Sequence, residues 1–443
     1  MEYTARLADA REAPTLGQIL ASPALWLMGG FGFASGLPLP LSGFTLRLWF
    51  AEGHVSLGAI GLTADIGLAY SLKFLWAPLM DHAAPPGFLA RFGRRRGWLL
   101  AIQPALALAV VLLALSQPGV APAAAAGAAA LVAFLSASQD IVIDAWRIET
   151  FPQRLQGAAM AAYVWGYRGA LLISGAGAIA LATPLGWHLS LLLMAGLGAI
   201  GIPVTLAARE PAPPERVPGA RMSVRRRLSE ALVAPLAEFM ARPGAVPILA
   251  FVVLFRLGEA MAGVMLPSLY TSLGFDRVAV AVANGPVSLA AVLVGAVLGG
   301  WLVARLGTGR ALLITGSVQT VCLAMYVLLA YSAGNHAVLL ATSAVESFTE
   351  GLADAAFITY LSALCAREHT ATQYALLSSV AALALRTVGG LSGFLAAAAG
   401  WKLFYSLTTF AAFPAMGVMI YLLRRFPPER EPTPTPAPEP EPA

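Results

Sequence analysis

The sequence predicts an all-α polytopic membrane protein of twelve transmembrane helices in two six-helix halves. Three observations lead there. The 443 residues are 58% hydrophobic and only 12% charged, against roughly 25% charged in soluble domains, and mean hydropathy is +0.74. Apolar runs long enough to cross a bilayer, about 20 residues at 1.5 Å rise each, recur along the whole chain. Landmarks of the first half return in the second at a near-constant offset.

Bounded by charges or by Pro and Gly, the runs lie roughly at 24–48, 57–80, 98–116, 122–146, 157–182, 187–208, 243–270, 276–304, 311–332, 336–362, 371–397 and 401–423. With the N-terminus in the cytoplasm, only Arg277 and Lys402 fall in outer loops and five basic residues fall within spans. The other 21 of 28, among them Arg91, Arg94, Arg95, Arg96, Arg225, Arg226, Arg227, Arg424 and Arg425, are cytoplasmic. Positive charge marks the inside, so both termini are expected there. The basic surplus is then a topology signal and implies no nucleic-acid partner. No cleavable leader is expected, because the first apolar run follows a mixed polar segment and is too long. Cys322 and Cys365 sit in or beside apolar spans and suggest neither a disulfide framework nor a metal site.

In chain order, residues 1–22 are polar, with a short interfacial helix expected near Leu16–Leu20. The first span carries Pro38 and Pro40, which interrupt regular hydrogen bonding. Such backbone is tolerated at membrane depth only against protein or water, so this helix is expected to line a cavity. Arg47 reads as snorkelling from its outer end. The second span holds Asp65 and then Lys73 to Asp81. Leu89-Ala-Arg-Phe-Gly93 returns as Val303-Ala-Arg-Leu-Gly307 at an offset of 214, which also carries Asp140 onto Asp354. Arg168 with Ser174-Gly175 returns as Arg386 with Ser392-Gly393 at 218. Two six-helix halves duplicated in parallel are the major facilitator architecture. The first is expected at 1–208 and the second at 243–424. A cytoplasmic linker rich in Pro, Arg and Glu joins them at 209–242, and residues 425–443 form an extended Pro/Glu-rich tail.

In this architecture the first, fourth, seventh and tenth helices line the central cavity. Here they carry Arg47; Asp140 and Asp144; Arg256 and Glu259; and Glu346, Glu350 and Asp354. An ionised side chain at bilayer depth costs about 2.5–3.5 kcal/mol on insertion scales, so it faces a bundle interior or a wet cavity. Asp140 and Asp144, four apart, share a helix face; Glu346, Glu350 and Asp354 continue one face; Arg256 and Glu259, three apart, can satisfy each other. The bland reading is helix-locking ion pairs, and the sharper one is a transport pathway. Away from helix ends, seven carboxylates (Asp65 included) face four cations, Lys73, Arg168, Arg256 and Arg386. Unpaired ions in low dielectric prefer neutrality, so part of the seven is expected to carry protons, as a proton-coupled carrier requires. Glu259, Glu346 and Glu350 are the coupling candidates. Asp140 and Asp144 are expected nearer the cytoplasmic end, and Asp144 and Asp354 also fit carboxylates that simply face water. Arg168 and Arg386 are expected buried at mid-membrane. Asp81 with Arg91, Arg95 and their neighbours reads as a cytoplasmic gate, and Trp98 and Trp146 as interfacial anchors.

Several stretches resemble the AmpG muropeptide permease family: Gly32–Leu41, Lys73–Asp81, Phe92–Leu100, Ser136–Trp146, Gly166–Arg168 and Thr372–Ser378. The resemblance spans nearly all twelve helices. It implies proton-coupled import of N-acetylglucosaminyl-1,6-anhydro-N-acetylmuramyl peptides across the bacterial inner membrane for peptidoglycan recycling, with a link to β-lactamase induction. Lys73, Asp140, Asp144, Arg168, Glu346 and Arg386 match the family pattern, and Arg256 and Glu259 stand where Lys and Asp are usual. Glu350 and Asp354 replace small or neutral residues, Asp65 is extra, and Gly285 stands where a lysine is usual.

The reading is therefore a carrier for an amphiphilic, anionic sugar–peptide, driven by the proton gradient without a cofactor or metal and acting as a monomer among membrane lipid. Arginine suits the ligand's carboxylates because its planar fork binds them bidentately. A carrier of another bulky anion such as an acyl-CoA, and a non-transporting membrane sensor, are the alternatives. No enzyme is expected: there is no nucleophile–base pair, metal-ligand cluster or phosphate-cradling glycine loop.

Overall fold

The computed structural model describes residues 22–151, 155–211, 240, 244–332, 334–363 and 370–425. Among these residues there is no β-strand. In chain order, α1 is Pro23–Glu52, α2 residues 57–82, α3 Arg94–Ala114, α4 Pro122–Thr150, α5 residues 156–185 and α6 residues 187–207. The second half begins with α7, Ala245–Ser272, followed by α8 Arg277–Leu306, α9 Thr308–Tyr331, α10 His336–Ala363, α11 at 370–399 and α12 at 401–425. Eight apolar helical stretches are each long enough to cross a membrane. The α10 helix, 28 residues long, carries Glu346, Glu350 and Asp354. The interfacial segment at 16–20, most of the linker and the tail lie outside the described residues.

The duplication is visible in the backbone. Gly186 (φ 76°, ψ 165°) separates α5 from α6, and Gly400 (φ 71°, ψ 162°) separates α11 from α12. Gly93 (φ 96°) and Gly307 (φ 76°) open α3 and α9 in the same extended, positive-φ conformation. Both pairs are 214 residues apart. Only glycine visits this region without a Cβ penalty, so these positions reverse the chain between antiparallel helices. Past Gly186, Ser190 Oγ donates to Ala178 O at 2.6 Å, a pair that a straight helix would hold about 18 Å apart.

Helices within each half meet backbone to backbone. A methyl group on Gly32 would come within 2.0 Å of Tyr163 O, and one on Gly166 within 1.9 Å of Gly29 O, which fixes α1 against α5. In the second half, Gly295 and Gly351 bring α8 equally close to α10, 2.0 Å from Phe348 O and 2.2 Å from Val292 O. Lipid is as apolar as leucine, so close packing of small residues supplies much of the association.

The halves join through α1 with α7, α2 with α11 and α5 with α8. Gly61 sits under the Gly390 carbonyl, and Gly285 against Ala176. Both α5 and α8 carry a π-turn at this seam, at Ile173–Gly177 and Ala283–Val287. All these contacts lie toward the end where α1 finishes at Glu52, the Glu52 end. Toward the opposite, Arg95 end, α4 and α10 make their main contacts within their own halves. The halves therefore converge at the Glu52 end and part toward the Arg95 end.

Three expectations need correction. Trp146 is no interfacial anchor: it is 1% exposed, packs edge-on against Phe31 at 5.0 Å and donates to Arg209 O at 2.9 Å. Arg47 does not snorkel, since α1 runs on to Glu52 and the Arg47 Nε is buried without a partner. Arg168 is exposed rather than buried, because it faces space between the halves. By contrast the first span does break as expected, at Gly43 (φ −124°, ψ −113°) beyond the two prolines.

Gly32→Ala and Gly295→Ala are expected to lower the melting temperature of the detergent-purified protein, with overpacking costing about 1–3 kcal/mol each. Gly127→Ala, where a methyl meets nothing within 4 Å, is expected to leave it unchanged or raise it.

Candidate functional site

The densest charge in the interior lies between α7 and α10. Arg256 Nη2 donates to Glu259 Oε1 at 2.9 Å, one turn along α7. Its Nη1 bonds Asp354, and Glu350 Oε1 stands 3.9 Å from Nη2. Glu259 is held from the other side by Gln319 Nε2 of α9 at 3.0 Å. One guanidinium thus serves three carboxylates. Glu346, one turn before Glu350, has no basic group within ion-pair distance among the described residues. Asp354, expected to face water, is instead gathered into the cluster, because the i, i+4 step from Glu350 turns both side chains toward Arg256.

The α4 carboxylates are treated differently. Ser35 Oγ of α1 donates to Asp140 Oδ1 and also meets Tyr163 Oη of α5 at 2.7 Å. Gln139 Nε2 donates to Ala34 O at 3.0 Å, so α1 and α4 are fastened beside that bond. Asp144 is 46% exposed and pairs loosely with Lys73 Nζ at 3.9 Å and Arg147 Nη2 at 3.7 Å. Pairs this open are worth about 0–1 kcal/mol, so they steer Asp144 rather than lock the fold. Lys73 reaches it from a 3₁₀ turn at Lys73–Leu75 that interrupts α2.

Among the described residues, three of the arginines that lie away from the helix ends have no carboxylate within ion-pair distance: Arg47, Arg168 and Arg386. Arg386 of α11 is half-buried and lies over Gly67 of α2, where any side chain would collide with its guanidinium. Arg168 lines a cavity of about 250 Å³ between α5 and α8 and α10, together with Asn284, Gly285, Ser288 and Glu350. The structure thus sets an unpaired arginine of one half across a cavity from an acidic cluster of the other.

At the Arg95 end, Arg95 is 4% exposed and donates to Glu149 at 2.6 and 3.0 Å and to Met80 O at 3.4 Å. Glu210 accepts from the Arg95 and Arg96 backbone at 2.8 and 2.9 Å, where α3 presents free N–H groups. Arg91 lies over the Phe88 and Phe92 rings. The Asp81 side chain lies outside the described residues. These contacts stay within the first half and the start of the linker. Among the described residues, an ion pair crosses between the halves at the other end. Arg277 of α8 grips Glu52 of α1 through Nη2 at 2.6 Å and Nε at 2.9 Å, and donates to Ala182 O at 2.6 Å. Trp187 Nε1 donates to the same carboxylate at 2.6 Å, and its ring lies under the guanidinium.

Sequence reasoning missed Ser35, Tyr163, Gln319, Glu149 and this Glu52–Arg277–Trp187 clasp. The hydroxyls and amide carry no charge to mark them. The clasp had one signal, opposite charges at the ends of the first and eighth spans.

Two related halves that close over a charged interior at one end and part at the other define a secondary transporter. The chain belongs to the Major Facilitator Superfamily, whose pattern matches residues 15–343, and within it to the anhydromuropeptide permease family. It is 40% identical over 405 residues to the anhydromuropeptide permease of Escherichia coli (strain K12), covering 91% of this chain and 80% of that one. It is 33% identical to putative transporter AmpG 4 of Rickettsia conorii, covering 88% and 94%. The crystal structure of the nucleoside transporter NupG shares the fold, with a TM-score of 0.68 at 12% identity over 90% of this chain and 98% of that chain. The protein is thus a multi-pass protein of the bacterial inner membrane.

Arg277→Ala is expected to release the Glu52 end, since a charge-assisted hydrogen bond contributes about 1.5–3 kcal/mol. Spin labels at Gln117, in the loop between α3 and α4, and at Ala337, in the first turn of α10, both at that end, are expected to report a longer distance in the variant. An unchanged distance distribution would mean that packing alone closes this end.

Proposed function

We propose that this chain imports anhydromuropeptides from the periplasm into the cytoplasm together with protons, with the Arg95 end and both termini in the cytoplasm. The substrate follows from the relatives, which are anhydromuropeptide permeases. The sidedness follows from the 21 basic residues that then lie inside. With the Glu52 end sealed, the structure corresponds to the cytoplasm-facing state of the cycle.

The arrangement that carries the reading is the cavity with Arg168 on one wall and Glu350 on the other. A substrate carboxylate reaching this cavity meets a guanidinium that no carboxylate of the described residues occupies. On the opposite wall one arginine serves three acids, so a proton can complete the charge balance where no second cation stands. Binding anion and proton to facing walls links their movement, because each relieves the charge that the other introduces. Glu350 is the coupling residue best placed for this: it lines the cavity and touches Arg256 only at 3.9 Å, whereas Glu259 is held by two partners. Glu346 stands one turn away as its relay. On α4, Asp140 and Asp144 assist closure. A poly-phosphate cargo finds less support, since the cavity carries Arg168 alone against Glu350.

In proteoliposomes with an inward proton gradient, the wild-type chain is expected to accumulate labelled anhydromuropeptide. Glu350→Gln is expected to keep substrate exchange and lose pH-driven accumulation, because the neutral amide mimics the protonated acid. Accumulation that survives Gln at Glu259, Glu346 and Glu350 in turn would remove protons from the mechanism. Arg168→Ala is expected to raise KM at least tenfold, the loss of one charge-assisted contact of about 1.5–3 kcal/mol.

A further inference from the structure

Outside the Glu52 seal, the ends of both halves line a second, open cavity of about 620 Å³, within the usual range for small-molecule sites. Glu52 and His54 line it from the first half, and Ser268, Thr271, Ser272 and Trp401 from the second. Two halves build it, so it cannot keep its shape when they separate. Glu52 belongs both to its wall and to the clasp on Arg277.

The lining defines a ligand chemistry. Among the described residues it contains no Lys or Arg, and Arg277 is spent on Glu52 and Ala182 O. An anion here would face Glu52 without a cation. What the wall offers is acceptors: the Glu52 carboxylate and the hydroxyl oxygens of Thr271 and Ser272, whose protons go to backbone carbonyls. Ser268 is 3% exposed and its Oγ has no partner, a buried hydroxyl left to be satisfied from outside the protein. Trp401, backed by Tyr405 at 6.3 Å, adds a flat apolar face. Hydroxyl donors around a ring with one apolar face answer this set, and a neutral pyranose has both.

His54 adds an independent sign. It is the one non-glycine residue with positive φ among the described residues, at 57°. The matching turn of the second half has Gly274 there, at φ 77°. The two turns carry equivalent hydrogen bonds, Val55 N to Phe50 O and Phe275 N to Tyr270 O. The fold therefore accepts glycine at this corner, yet the first half holds a strained imidazole at the cavity wall. Retained strain of this kind accompanies functional positions.

We propose that this cavity is an outer capture subsite for a neutral pyranose ring of the cargo, and that a sugar hydroxyl on Glu52 loosens the Arg277 clasp. The subsite rests on the import reading above only for its place on the route. Its binding is measurable on the purified chain without transport.

Saturation-transfer NMR on the full chain in detergent, with methyl N-acetylglucosaminide as probe, is expected to show saturable binding that Trp401→Ala abolishes and Trp401→Phe restores. The probe is also expected to lengthen the distance between labels at Gln117 and Ala337. In uptake, Trp401→Ala is expected to raise KM about tenfold with turnover kept, the loss of one aromatic contact, while a pyranose-free anionic peptide gives no binding signal. No probe signal in the wild-type chain, or a signal indifferent to Trp401→Ala, overturns the subsite. Probe binding without any effect on the label distance overturns the link to the clasp. Absent uptake by the wild-type chain defeats the import reading instead and leaves the binding result standing.

Discussion

Arg256 shares its charge among Glu259, Glu350 and Asp354 in a region built mostly of alanine, leucine and phenylalanine. Ions cannot be left unpaired in such surroundings, where the penalty for removing a charge from water runs to several kcal/mol each. The second half is arranged to meet that demand. Gly295 and Gly351 let α8 press against α10 and hold its acidic face in place, and Gln319 of α9 supports Glu259. Surplus negative charge is directed toward the cavity between the halves rather than toward lipid.

The first half repeats the backbone but not the chemistry. The turns at Gly93 and Gly186 recur at Gly307 and Gly400. By the register of the helix ends, where Val55 answers Phe275, Gly36 stands where the second half has Arg256. With no cation there, Asp140 depends on the Ser35 hydroxyl, and Gly36 instead lets α1 close onto Tyr167. One half concentrates acid around a single arginine, while the other leaves Arg168 open to the cavity. A duplicated scaffold thus presents unlike walls to a cargo that carries both charge and polar bulk.

Motion between the halves depends on how differently their two ends are held. At the Arg95 end the bond from Arg95 to Glu149 lies inside one half and survives a rocking of one bundle against the other. At the Glu52 end the clasp to Arg277 crosses the seam and must break. The seam itself is lined by glycines and two π-turns, local irregularities of the kind that recur at functional sites in helices.

Much of this was legible in the sequence because it rests on composition and period. Membrane embedding followed from long apolar runs, the paired halves from landmarks 214 residues apart, and the Arg256–Glu259 pair from spacing on one helix. The prolines at 38 and 40 announced the break in α1. Other features depended on contacts between distant segments, which no local pattern encodes. Trp146 looks the same in sequence whether it lies at an interface or, as here, against Phe31. Arg168 and Arg386 occupy matched positions, yet only the packing of α5 against α8 opens one to a cavity and lays the other over Gly67. Glu52 and Arg277 lie 225 residues apart, and only the meeting of the two halves makes them a clasp, because an ion pair is set by distance in space and not by separation along the chain.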